Sequence, residues 1–114
     1  MLTADMKRIV EEQLLGFVAT TAADGTPNVS PKGTFFVVDD NMIAFGEIRS
    51  PGTIRNLRTN PRIEINFVDP FVRKGYRFAG TRMSLSVGGA PSMRCLAITA
   101  GRSHRDCAPL WLLR

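Results

Sequence analysis

The sequence predicts a mostly β fold with two helices, and three observations lead to this prediction. Asp24-Gly25 and the polar run 39–41 each separate short apolar segments, as hairpin turns do. Residues 62–68 alternate apolar and polar side chains with the period of two that is typical of a half-exposed strand. Helical spacing of apolar residues is confined to two short segments. A chain of 114 residues has the length of one domain.

The first predicted element is an amphipathic helix over residues 4–14. Its apolar side chains recur at helical spacing with charged residues between them: Met6, Ile9, Val10 and Leu14. Thr3 is a suitable N-cap, and Asp5 complements the positive end of the helix dipole. Gly16 is expected to end this helix, because glycine readily adopts the left-handed conformation found after helix C-termini.

The remaining elements are six strands and a second, short helix. The strands are predicted at residues 17–22, 27–30, 35–38, 42–45, 62–68 and 75–78. The helix is predicted over 51–57, where Pro51 suits a first helical position and Asn60-Pro61 stops the pattern. Antiparallel strands in this order can curl into a barrel, which removes exposed sheet edges.

Composition excludes several classes of protein. Hydrophobic residues make up 44% of the chain and charged residues 22%, as in ordinary globular domains. No apolar run approaches the roughly 18 residues that span a membrane. The N-terminal residues include acidic side chains where a signal peptide has an apolar stretch, so a cytoplasmic protein without membrane partners is expected.

The net charge of +5 does not predict a nucleic-acid-binding protein. Residues 1–80 contain ten Lys and Arg against nine Asp and Glu, a balance of +1, whereas residues 81–114 contain five Arg against one Asp, a balance of +4. A nucleic-acid surface usually concentrates cations on one face, often beside aromatic side chains. The excess here lies in the C-terminal part instead, so no nucleic-acid partner is expected.

The cysteines and the histidine suggest no metal site. Cys95 and Cys107 form neither a CxxC pair nor a four-ligand zinc pattern, so they are interpreted as structural thiols. His104 stands in an HRD sequence like that of a kinase catalytic loop, but the chain has neither a glycine-rich loop nor a DFG sequence. No metal ligands are therefore predicted.

Two polar segments are suited to a small phosphorylated cofactor. Ser30 and Lys32 interrupt the second strand, and residues 47–53 lead from an apolar strand into the start of the short helix. The free backbone N–H groups at a helix N-terminus can bind phosphate. Both segments are expected to face one crevice.

These segments resemble the pyridoxamine 5′-phosphate oxidase-like flavoproteins over about residues 6–80. The resemblance is carried by GFVATTAADGTPNVSPKGTFF, IAFGEIRSPGTIRNLRTNPRIEINFV and RKGYRFAG, and its most specific parts are DGxPxVSP and SPxTxRNLxxNP. It implies a six-stranded split β-barrel with an N-terminal helix and a short helix between strands. It also implies a homodimer that binds FMN in a groove at the interface, with residues from both subunits.

The resemblance further implies a set of cofactor-binding residues on the second strand, on the strand before the short helix, and at the start of that helix. The set is Val29, Ser30, Pro31, Lys32, Gly46, Glu47, Arg49, Ser50, Thr53 and Arg55. Many relatives have Ser-Arg-Lys at the helix start, whereas this chain has Ser-Pro-Gly-Thr. That difference removes two cations from the expected phosphate site.

Each of these assignments has a simpler alternative. Lys32 is also typical of a solvated hairpin lysine, and Ser50 and Thr53 of helix caps. Glu47 and Arg49 could form a surface ion pair of well under about 1 kcal/mol. No general acid or base stands in the matching positions, which suits a flavin because the cofactor carries the hydride chemistry.

From Thr81 onward the sequence departs from the family pattern. Residues 81–114 contain no Glu or Lys, both cysteines, and little strand or helix periodicity. The expected organisation is a cofactor-binding domain at 1–80 followed by an atypical tail at 81–114 that is not an independent domain. One hypothesis is a frameshift near Gly80, which the nucleotide sequence would test; the alternative is a lineage-specific ending.

The sequence thus predicts an FMN-dependent oxidoreductase that acts on an unknown small substrate. Pyridoxamine phosphate itself is disfavoured, because that activity relies on C-terminal residues that this chain lacks. The alternative is a non-catalytic split barrel that binds or senses flavin or haem, or a degenerate member of the family. Whether a deazaflavin replaces FMN stays open.

Overall fold

The computed structural model describes residues 2–47, 51–85 and 94–100. Two helices and seven strands occur in this part of the chain. They are α1 (Ala4–Gln13), β1 (Gly16–Thr21), β2 (Pro27–Lys32), β3 (Phe35–Asp39), β4 (Met42–Glu47), α2 (Pro51–Thr59), β5 (Arg62–Asp69), β6 (Lys74–Leu85) and β7 (Arg94–Ala100). The predicted mostly β class with two helices is confirmed.

The described strands form one antiparallel sheet in the order β2-β1-β5-β6-β7-β4-β3. The expected hairpins β1–β2 and β3–β4 both form. The expectation of little regular structure after Thr81 is wrong for two segments, because β6 runs on to Leu85 and β7 lies between β6 and β4. Neither described helix has the length and apolar character needed to cross a membrane.

Helix α1 begins as the sequence predicts and ends differently. The Thr3 hydroxyl accepts a hydrogen bond from the Met6 backbone N–H at 3.3 Å, which caps the helix. The helix ends at Gln13, and Leu14 rather than Gly16 adopts the left-handed conformation, with φ of 58°. This conformation costs a non-glycine residue about 1–2 kcal/mol. Gly16 is already the first residue of β1.

Gly16 is required by the aromatic core beside it. A Cβ atom at this position would lie 2.6 Å from the Phe35 ring and 2.8 Å from the Phe67 ring. The Phe35 and Phe67 ring centroids are 4.7 Å apart, and Phe67 also meets Phe78 edge to face at 6.1 Å. These rings, together with the buried face of α1, form the core of the domain.

A group of hydrogen bonds ties α1 to the start of β6. The Asp5 carboxylate accepts from the Lys74 ammonium at 2.5 Å, the Tyr76 hydroxyl at 2.5 Å and the Arg8 guanidinium at 2.6 Å. The hydrogen bonds from these three donors lower the pKa of Asp5 from its ordinary value of 3.8. Lys74 has the largest effect, followed by Tyr76 and Arg8. The Arg77 side chain pairs with Glu64 at 3.5 Å, so this part of β6 carries more than one ion pair.

We predict that Asp5→Asn lowers the melting temperature at neutral pH, because the variant loses the charge that these donors stabilise. A carboxylate with a lowered folded-state pKa stabilises the fold above its unfolded pKa and loses this effect as the pH falls through the folded pKa. The difference in melting temperature between the parent protein and Asp5→Asn should therefore be constant down to about pH 4 and shrink below it. Thermal melts at several pH values measure this. A difference that does not change with acid would contradict the electrostatic origin.

The C-terminus of α2 is held by β6. The Leu57 carbonyl has no i+4 donor in the helix, because residue 61 is a proline without an N–H. Arg82 supplies the missing donor, with its Nη1 atom 3.3 Å from the Leu57 oxygen. The Arg82 backbone N–H also donates to the Pro61 carbonyl at 2.8 Å. These contacts fix the position of α2 relative to the sheet.

Candidate functional site

The inward face of the β1–β2 hairpin carries a row of polar side chains. Val18 and Thr20 of β1 are buried, and the register places Ser30 opposite Val18 and Asn28 opposite Thr20. At the end of β2, Lys32 lies opposite Gly16 and is 7% exposed. Strand alternation therefore brings the predicted Ser30 and Lys32 to the same face.

Helix α2 packs against this hairpin through a polar buried side. Thr53, Asn56 and Leu57 are its buried residues, and α2 contacts both β1 and β2. The Asn56 amide donates a hydrogen bond to the Thr20 hydroxyl at 3.0 Å, in a buried position. The bond sets the rotation of the helix about its axis, so Thr53, three residues earlier, also turns inward.

The Thr53 hydroxyl is the unusual group of this site. Thr53 is 1% exposed, and its Oγ1 atom has no hydrogen-bond partner among the described residues. A buried hydroxyl without a partner costs about 1–3 kcal/mol, so native proteins rarely leave one unsatisfied. A hydrogen-bonding group that enters the site would remove this penalty.

Gly46 is held close to the end of β2. Its backbone N–H donates to the Thr34 carbonyl at 3.0 Å, and the Thr34 hydroxyl donates to the Gly46 carbonyl at 2.9 Å. Thr34 follows Lys32 by two residues, so the end of β4 lies near the end of β2. Glu47 continues β4, where its backbone pairs with Arg94.

Three predicted residues lie elsewhere, and two lie outside the described residues. Val29 and Pro31 face outward, and Val29 is 64% exposed. Arg55 is exposed and lies about 200° around α2 from Thr53, so its side chain points away from the buried side. Arg49 and Ser50 are outside the described residues.

Two polar residues of the site, Thr20 and Asn56, were not predicted. Thr20 lies within an apolar run, and its type is common in strands, so nothing distinguishes it there. Asn56 follows Thr53 at the spacing of neighbours on one helix face, and this spacing is the signal that could have identified it.

The side chains that face this site suit an anionic group. Lys32 supplies a cation, and the hydroxyls of Ser30 and Thr53 supply hydrogen-bonding groups. The buried members of the row and of α2 include no carboxylate. A cation and hydroxyl groups are the types of side chain that bind a phosphate.

Comparison with known proteins identifies the family. The family model described as pyridoxamine 5′-phosphate oxidase matches residues 2–95, which includes the first part of the tail. The chain therefore belongs to the pyridoxamine 5′-phosphate oxidase-like family, as its sequence motifs indicate. A comparison with curated protein sequences gives no match.

Solved structures support the same fold. HupZ from Group A Streptococcus is 29% identical, with a TM-score of 0.79 and 94% of each chain covered. An FMN-binding protein from Syntrophomonas wolfei is 11% identical, with a TM-score of 0.75, 90% of this chain covered and 83% of that one. HutZ, the haem storage protein from Vibrio cholerae, is 17% identical, with a TM-score of 0.72, 92% of this chain covered and 94% of that one. The fold is the expected split barrel.

Proposed function

We propose that this protein is a homodimeric FMN-binding oxidoreductase that acts on a small organic substrate. The observation that supports the proposal most is the buried Thr53 hydroxyl, which has no hydrogen-bond partner among the described residues. It belongs to the helix whose N-terminus the family motif assigns to a phosphate. A phosphate oxygen within hydrogen-bond distance would supply the missing partner.

In this proposal the residues of the site bind and orient the cofactor. Lys32 offsets the negative charge of the phosphate, and Thr53 Oγ1 donates a hydrogen bond to one of its oxygens. The Asn56–Thr20 hydrogen bond holds α2 against the hairpin, so the helix N-terminus stays aimed at the phosphate. The flavin, when bound, supplies the hydride and electron chemistry, while the protein supplies position and electrostatics.

We predict that Thr53→Val and Lys32→Ala each weaken FMN binding by about 1–3 kcal/mol, or about 5- to 150-fold in Kd. Thr53→Val keeps the side-chain shape and replaces the hydroxyl by a methyl group. Flavin fluorescence quenching measures the Kd. Thr21→Val, on the outward side of β1, serves as the control and should leave the Kd unchanged. Equal Kd values for the parent protein and both site variants would remove these residues from the site.

The colour of the purified protein tests the cofactor itself. A yellow protein that a reductant bleaches and air restores supports the proposal. A protein that ignores added FMN contradicts it. Titration with haem completes the test, because HutZ shares this fold and is a haem storage protein. Haem binding together with no FMN binding would replace the oxidoreductase with the non-catalytic alternative.

The dimer is supported by an apolar outward face on β1 and β2. Phe17 and Val29 are exposed, and the register places Phe17 opposite Pro31, so the three lie on one side of the hairpin. We infer that a second copy covers this face, because burial of exposed apolar area favours association. The same hairpin carries the cofactor row on its opposite, inward face.

We predict that the parent protein is a dimer in solution and that Val29→Glu makes it a monomer. A buried charge without a partner opposes association strongly. Light scattering after size exclusion measures the mass. Val72→Glu is a matched control, because Val72 is also 64% exposed but lies in the β5–β6 turn. A monomeric parent protein, or a dimer that survives Val29→Glu, would contradict this interface.

A further inference from the structure

The segment around α2 is rich in arginine and contains no acidic residue. Residues 48–63 contain four arginines, and no Asp or Glu lies between Glu47 and Glu64. The net charge of residues 1–80 is nearly zero because the acidic residues of the domain lie in other segments. The local excess of positive charge around α2 is therefore not visible in that total. Helix α2 stands in the middle of this segment.

The structure places two of these four arginines on the outer side of α2. Arg55 and Arg58 are exposed and are three residues apart, which makes them neighbours on one side of α2. The Arg82 guanidinium donates to the Leu57 carbonyl at the C-terminal end of α2. Leu57 directly precedes Arg58 in the chain. We call Arg55, Arg58 and Arg82 the arginine face. Its helix members, Arg55 and Arg58, are exposed, whereas Thr53 and Asn56 are buried on the opposite side of α2.

Ion pairs distinguish the arginine face from four other cations of the described residues. Lys7, Arg8, Lys74 and Arg77 each pair with a carboxylate. No member of the arginine face forms an ion pair within the part of the chain that the structure describes. Glu64, which follows Arg58 by six residues, pairs with Arg77 instead.

An array of guanidinium groups without carboxylates favours an anionic partner. Like charges repel when they stand close together, and an anionic ligand relieves that repulsion. The guanidinium fork matches a carboxylate in two parallel hydrogen bonds, which a lysine cannot do. Arg82 is fixed by its bond to Leu57, so part of this surface is already ordered before a partner binds.

We propose that the arginine face is a docking surface for an acidic segment of a partner protein. A protein is favoured over a nucleic acid for two reasons. No aromatic residue for base stacking occurs at positions 46–66. Arg55 and Arg58 are separated by only about 4.5 Å along the helix axis, whereas nucleic-acid binding usually follows several successive phosphates. The proposal goes beyond the cofactor function and does not depend on it.

The test uses the full chain and three fluorescent probes: a decaglutamate peptide, a decaglutamine peptide, and a single-stranded oligonucleotide with ten phosphates. Fluorescence anisotropy measures their affinities at low and moderate salt. Arg55→Gln/Arg58→Gln removes two positive charges from α2, and glutamine keeps the helix propensity high. Arg73→Glu changes the net charge by the same amount at an exposed site in the β5–β6 turn, so it is the matched control.

We expect the parent protein to bind decaglutamate and not decaglutamine. Arg55→Gln/Arg58→Gln should weaken this binding by about tenfold, and Arg73→Glu by less than about twofold, because complementary charge acts locally at a docking site. Equal losses of decaglutamate affinity in the two variants would show that the effect comes from net charge alone, and this would overturn the proposal. Absence of decaglutamate binding would also overturn it, and tighter binding of the oligonucleotide would assign the face to nucleic acid. Circular dichroism checks that both variants are folded.

Discussion

Replacement of Phe67 by alanine is expected to lower the free energy of unfolding by about 3–5 kcal/mol. Phe67 is fully buried, and its ring contacts the rings of Phe35 and Phe78. Alanine removes the ring and leaves a cavity whose rigid aromatic walls can collapse only in part. Since domains are typically stable by about 5–15 kcal/mol, the loss is a large fraction of the total. Urea denaturation measures it.

Phe71→Ala is the matched control for this prediction. Phe71 follows β5 by two residues, in the turn to β6, and is 95% exposed. Its truncation removes little buried surface, so the change in unfolding free energy should stay within about 0.5 kcal/mol. Similar losses of unfolding free energy in Phe67→Ala and Phe71→Ala would show that Phe71 is covered in solution. The exposure of Phe71 in a single chain would then not distinguish it from Phe67.

Gly75→Ala is expected to lower the free energy of unfolding by about 1–3 kcal/mol. A Cβ atom on Gly75 would lie 2.7 Å from the Phe67 carbonyl oxygen and 3.3 Å from Val68 Cγ2. The closer contact is with backbone, which moves only if β5 and β6 separate locally. Gly75 pairs with Val68 near the turn, so the shift would also strain the Asp69–Lys74 pair beside it.

Gly52→Ala tests whether the lower stability of Gly75→Ala comes from the close contact with Phe67 or from replacing any glycine. Nothing lies within 4 Å of a Cβ atom at Gly52, which is in the first turn of α2. Alanine has the higher helix propensity, so this variant should be unchanged or more stable by up to about 1 kcal/mol. Thermal denaturation of both variants compares them. A Gly75→Ala protein as stable as its parent would show that the two strands adjust freely.

The hairpins and α1 could be predicted because their signals are local. The Asp24-Gly25 turn and the period of two in residues 62–68 depend on neighbours in the chain, and both elements form as expected. The end of α1 could not be predicted in the same way. Leucine rarely takes a left-handed conformation, and only the surrounding structure makes Leu14 adopt it.

The strands after Thr81 could not be predicted because their pairing is not local. β7 lies between β6 and β4, and its partners Met42–Glu47 are more than forty residues earlier in the chain. Pairing across such a distance overrides weak local patterns. The hypothesis of a frameshift near Gly80 stays a prediction, which the nucleotide sequence tests.

The candidate site could be predicted in part. The alternation of β2 correctly places Ser30 and Lys32 together, because a strand has a simple two-sided geometry. The orientation of a short helix is harder to deduce, since a shift of two residues turns a side chain by about 200°. This explains why Thr53 is buried in the site while Arg55 faces solvent.

The two prolines of β2 have a consequence for behaviour at high concentration. β2 stands at one end of the strand order, and Pro27 and Pro31 are both exposed on it. Proline lacks the N–H that a docking strand would need, and it is tolerated where that position faces solvent at a sheet edge. This border of the sheet is therefore a poor template for strand-by-strand polymerisation, which should help the protein to resist fibril formation.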